Sequence, residues 1–252
     1  MKTKTAFSNF AVLSILLSGW NSLSISAASA VEDLSRMKEA SARVSFVPRS
    51  DSPAPRRTQS GASRRELPGV CDGLPVLPEN GFGLTADNDP SLFVYFAEGT
   101  TVEKARLTLK SLDEEESEYY ETIVTLPQEK LSESGGVLAF EMPEIDTELA
   151  MDQEYAWSLI LMCEGQLRPD SPVLSGFLQR VEATSVDVQE GEASLIEQAT
   201  AYGAAGIWYD LLSTLALMRS EGANGEVFNE SWSSVMSEAG LDVISSAPLI
   251  VE

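Results

Sequence analysis

From about residue 70 the chain alternates apolar and polar side chains with a period of two, the spacing that sends every second residue to one face of a strand. Ala105, Leu107 and Leu109 are interleaved with Arg106, Thr108 and Lys110. Leu138, Phe140 and Met142 alternate in the same way, as do Tyr155, Trp157, Leu159 and Leu161 on the approach to Cys163. Residues 92–96 form instead an unbroken apolar run, the pattern of a strand covered on both faces. Residues 120–126 and 176–181 bring the expected total to about six strands. Between them stand turn signals, Asp87-Asn88-Asp89-Pro90, Ser134-Gly135-Gly136 and Arg168-Pro169-Asp170, and no clear amphipathic helix. The pattern therefore predicts an antiparallel, immunoglobulin-like β-sandwich over residues 69–186, not a parallel sheet with crossover helices.

Beyond residue 186 the period lengthens to that of a helix. One helix is expected over 192–202. A second is expected over 205–219, with Ile207, Trp208, Leu211, Leu212 and Leu215 on one broad stripe. Asn229 reads as the N-cap of a third that runs through Trp232 and Met236 and is closed by Gly240. Such a segment is small to be stable alone, so residues 187–252 are expected to be a helical C-terminal region packed on the sandwich. The fold class is mainly β with α.

The N-terminal part has a different character. Lys2 and Lys4 precede a short apolar core, residues 10–17, and a run of small residues ending Ala28-Ser29-Ala30. This is the layout of a cleavable secretory signal peptide over residues 1–30, with the cut after Ala30. The apolar core is too short and serine-rich for a membrane anchor, which takes about 20 apolar residues. No span is expected in the mature chain. Residues 31–68 are rich in Pro, Ser and Arg and are expected to be a disordered, basic linker.

Charge sharpens that boundary. The whole chain carries a formal net charge of −22. Residues 31–70 hold eight Lys and Arg against five acids, whereas residues 71–252 hold seven against 34. So acidic a body repels nucleic acid, which excludes it as a partner. In an exported chain the two cysteines, Cys71 and Cys163, suggest a disulfide; two separate free thiols are the alternative. The sequence contains no histidine, which removes the usual general base and the commonest transition-metal ligand. No catalytic residue, cofactor or metal site is expected. Chemistry carried by carboxylates alone stays open.

Several strings resemble a known family. They are Gly206-Ile207-Trp208-Tyr209-Asp210, Leu215-Ala216 with Arg219, Trp232, Gly240-Leu241 and Pro248-Leu249. Upstream, Cys71, Gly83-Leu84-Thr85, Pro90, Tyr155-Ala156-Trp157 before Cys163, and residues 176–181 agree with it. Together they resemble the domain of unknown function 928 family over residues 70–250. The resemblance implies an exported protein of cyanobacterial type and carries no reaction. The glycine-rich stretch associated with that family before the first cysteine is replaced here by residues 62–69.

Trp208, Tyr209 and Asp210, with Arg180, form the candidate interaction site. An aspartate beside two aromatics on an apolar helix could hold a ligand. The alternative is that both rings pack inward while Asp210 meets a backbone donor or an arginine such as Arg180. Asp113-Glu114-Glu115-Glu116 and Asp87-Asn88-Asp89 have oxygen ligands of the kind calcium takes, but no EF-hand spacing, and read better as solvated turns. Tyr119, Tyr120, Tyr155 and Trp157 could make a sugar platform, though aromatics at strand spacing are more often core. The expected function is that of an exported, non-catalytic protein, periplasmic or extracellular, that binds another envelope or extracellular protein. The alternatives are a carbohydrate- or calcium-binding module and, behind these, a carboxylate-dependent hydrolase.

Overall fold

A computed structural model describes residues 44–48, 67–112, 119–140, 142, 149–182, 192–222 and 225–250. All of them belong to one compact unit, residues 40–252. The expected signal peptide, most of the expected linker and the Asp113-Glu114-Glu115-Glu116 string lie outside the described residues.

Nine strands form two sheets among the described residues. The strands are β1 (Leu74–Pro75), β2 (Phe82–Thr85), β3 (Leu92–Phe96), β4 (Val102–Ser111), β5 (Tyr119–Thr125), β6 (Gly136–Phe140), β7 (Glu154–Cys163), β8 (Val173–Arg180) and β9 (Leu249–Ile250). One sheet has the order β1-β3-β6-β9 and the other β2-β8-β7-β4-β5. The alternation read from the sequence places its residues correctly. Along β7, Tyr155, Trp157, Leu159 and Leu161 are buried while the residues between them are half-buried. Along β4, Ala105, Leu107 and Leu109 face inward. Both sheets feed one core, which also takes in the helices.

The expectation of an antiparallel, immunoglobulin-like sandwich is corrected to two mixed sheets. β2 pairs in parallel with β8, and β9 in parallel with β6. Both β2 and β9 are short edge strands reached through long connections, and parallel neighbours require such connections where hairpins give antiparallel ones. The helices are not confined to the C-terminal part either. A short helix, α1 (Gln128–Ser134), lies between β5 and β6 and buries Leu131.

Three longer helices follow: α2 (Glu192–Ala205), α3 (Trp208–Ser220) and α4 (Gly225–Glu238). Asn229 lies inside α4 and is not its N-cap. Gly240, at φ 73°, does close that helix: Leu241 N–H donates to Met236 C=O and Gly240 N–H to Ser237 C=O. The same Schellman geometry ends α2. Gly206 sits at φ 71°, Ile207 N–H donates to Tyr202 C=O and Gly206 N–H to Gly203 C=O. A left-handed residue at that position favours glycine, and the turn sets the direction in which α3 starts.

Part of the expected disordered linker is packed. Val44 and Phe46 are 0% and 5% exposed. Val47 N–H donates to Gly203 C=O at 3.0 Å, Phe46 N–H donates to the Glu238 carboxylate, and the Phe46 ring meets Trp208 edge-on at 4.7 Å. Two alternating apolar side chains suffice to seat five residues against the helices; the polar average of residues 31–68 conceals them. Cys71 and Cys163 form a disulfide, with Cα atoms 5.8 Å apart and a sequence separation of 92. Closing so long a loop removes about 4–5 kcal/mol of unfolded-chain entropy. No helix among the described residues is long and apolar enough to cross a membrane.

Candidate functional site

The start of α3 lies over β2, and the contact depends on a missing side chain. A Cβ on Gly83 would stand 2.6 Å from the Tyr209 ring and 3.1 Å from the Trp208 ring. Glycine therefore lets the two aromatics approach the strand closely, where a larger residue would push them off. Trp208 and Tyr209 are 0% and 1% exposed. Their polar atoms are satisfied internally. The Trp208 indole N–H donates to Val76 C=O at 2.9 Å. The Tyr209 hydroxyl accepts from the Trp157 indole N–H at 2.8 Å and donates to Phe177 C=O at 3.2 Å. Burial pushes the Tyr209 phenol far above its ordinary range, so it stays neutral.

Asp210, the next residue, is only half-buried. Its Oδ2 accepts from Ala86 N–H at 3.0 Å. It stands in the first turn of α3, where the helix dipole favours a negative charge. Burial nevertheless wins: desolvation raises its pKa, opposed by hydrogen bonds from Ala86 N–H and the Thr85 side chain and reinforced by the charge of Asp87. Arg180 Nη1 donates to Leu149 C=O at 2.7 Å, where β8 ends.

The four residues singled out from the sequence thus divide. Trp208 and Tyr209 belong to the core, Arg180 holds the chain before β7, and Asp210 lines an open pocket of about 220 Å³. The other walls come from Thr85, Asp87 and Pro90 after β2, from Gln198 and Tyr202 on α2, and from Ser213, Thr214 and Leu217 on α3. Desolvation raises the Tyr202 phenol first, and the charges of Asp210 and then Asp87 raise it further, against a hydrogen bond with Gln198. Sequence reading missed these partners. The spacing of Ser213, Thr214 and Leu217 from Asp210, and of Gln198 from Tyr202, does put each set on one helix face. Nothing in the sequence brings the two faces together. Tyr155 and Trp157 are each 1% exposed, which removes them from a sugar platform. No group of three or more Cys, Asp or Glu side chains able to hold a metal ion occurs among the described residues.

No curated protein matches the chain, and no solved structure matches it. One family model does match, that of the domain of unknown function DUF928, over residues 59–249. The match takes in β1 to β8, the first residue of β9 and the helices that build the Asp210 pocket, and the chain is a member of the DUF928 family.

Proposed function

We propose that this chain is an exported, non-catalytic binding protein, and that the pocket beside Asp210 is where it engages its partner in the envelope or outside the cell. The observation that carries the reading is a carboxylate held partly out of water on the wall of an open pocket. Desolvating a charge costs free energy, and perturbed groups in clefts concentrate at functional sites. The Cys71–Cys163 disulfide supports an oxidising destination, and the signal-like N-terminus supports the route. The lack of histidine supports binding over catalysis.

Two measurements test this. Fractionation with N-terminal sequencing is expected to return an exported protein beginning at Val31; an uncleaved cytoplasmic chain argues against export. Capture of envelope proteins is then compared between the mature chain and Ser213→Trp, which fills the pocket from α3. A partner retained by the first and lost by the second supports the pocket. Equal retention, or none by either, overturns it.

A further inference from the structure

We propose that the Asp210 pocket receives an organic cation, an ammonium or guanidinium group. The inference rests on the reading of that pocket as the binding site and adds the chemistry of what enters it. At about 220 Å³ the pocket is smaller than the usual ligand cleft of about 300–1,000 Å³. It suits one end group better than a whole polymer segment.

The lining carries two carboxylates, Asp210 and Asp87, and no lysine or arginine. Its net field is negative. The N-terminus of α3 contributes only about half a positive charge, less than either carboxylate. An anion is repelled. A neutral polyol can donate hydrogen bonds to Asp210 but brings no charge to offset the two carboxylates. A calcium ion takes six to eight oxygens, several of them carboxylates; here two are present, and Asp210 already accepts from Ala86 N–H. An ionised carboxylate accepts up to about four hydrogen bonds, so Asp210 retains capacity for a charged donor. Tyr202 adds an aromatic ring to the same wall, and carboxylate plus aromatic is the pairing that favours organic cations. Desolvation is the main cause of the raised pKa of Asp210 and of the Tyr202 phenol, and the charge of Asp87 adds to both; a bound cation offsets that cost.

The cation has two possible sources, a free small amine or the side chain of a lysine or arginine on a partner protein. Calorimetric titration of the full mature chain at fixed ionic strength tests the proposal and separates the sources. The probes are n-butylammonium, n-butylguanidinium, acetyl-lysine methylamide, n-butanol and calcium chloride. The cationic probes are expected to bind and butanol not to. Asp210→Asn is expected to weaken binding about tenfold or more, the loss of one charge-assisted hydrogen bond. Ser213→Trp, with a circular dichroism spectrum matching the parent, is expected to abolish it. Tighter binding of the free amines identifies a small-molecule ligand; tighter binding of the lysine derivative identifies a partner's side chain. The proposal is overturned if butanol binds as well as butylammonium, if calcium binds more tightly than any amine, if none binds, or if Asp210→Asn changes nothing. Should the amines fail while Ser213→Trp still abolishes partner capture, the pocket remains the binding site and only its ligand chemistry is wrong.

Discussion

The Trp157 indole donates a hydrogen bond to the Tyr209 hydroxyl across 2.8 Å of buried space, joining the middle of β7 to the start of α3. Each group satisfies the other in a place water does not reach. Tyr209→Phe removes the acceptor and leaves the indole N–H unpaired, at an expected cost of about 1–3 kcal/mol in urea denaturation. Trp157→Phe combined with Tyr209→Phe is expected to cost less than the two single changes added together, because residues sharing a bond are coupled. Strict additivity would show that the bond contributes nothing.

The packing of residues 44–48 has its own test at Gly203. A Cβ there would lie 2.0 Å from the Ser45 carbonyl oxygen, a clash that neither backbone can relieve in place. Gly203→Ala is expected to displace the segment, and limited chymotrypsin digestion is expected to cut at Phe46 faster than in the parent. Phe46→Ala is expected to cost about 3–5 kcal/mol, the usual loss for a buried phenylalanine. Unchanged digestion in the glycine variant would mean that the segment is not held where Ser45 meets α2.

The disulfide prediction concerns the two ends of a long loop. Replacing Cys71 and Cys163 together by serine is expected to lower stability by about 2–5 kcal/mol, read as a lower melting temperature in calorimetry. Reducing the parent protein is expected to reproduce most of that shift. A variant as stable as the parent would show that the bond adds no stability.

The Asp210 carboxyl links stability to pH. Desolvation raises its pKa in the folded state, so the fold favours the neutral acid. That stabilisation is fully present below the unfolded-state pKa, about 3.9, and is lost as pH rises through the higher folded value. Asp210→Asn stays neutral throughout. Parent and variant are therefore expected to melt alike near the acid end. At neutral pH the variant is expected to melt higher. Asp87 faces the same space and acts in the same direction, since a second negative charge further disfavours ionisation of Asp210; Tyr202 also lines that space but is a neutral phenol there and adds no charge. A variant that melts lower than the parent at neutral pH would show that the hydrogen bonds outweigh the desolvation.

Much of the sheet was legible because its strands are half-covered, and a half-covered strand writes its orientation into alternate residues. β4 and β7 are read almost residue by residue for that reason. β2 hid its identity: all four of its residues are buried, and Gly83 interrupts the apolar signal. β1 and β9 have two residues each, too few to display any period. The parallel pairings of β2 and β9 depend on where long connections return, which no local pattern encodes. Of the site, Asp210 stood out because it breaks an apolar helix face. The residues opposite it look like ordinary polar positions on α2 and in a turn. They become a site only when the glycine at 206 folds α3 back beside α2.

The pairing of β9 with β6 bears on the order of events during synthesis. Leu249 and Ile250 lie against Val137 and Leu138, and Pro248 C=O accepts from Val137 N–H at 2.8 Å. The edge of the four-stranded sheet stays open until residue 250 has left the ribosome. Until that segment arrives, the outer edge of β6 has no strand beside it, so the four-stranded sheet is sealed last by residues far downstream of the strand they cover.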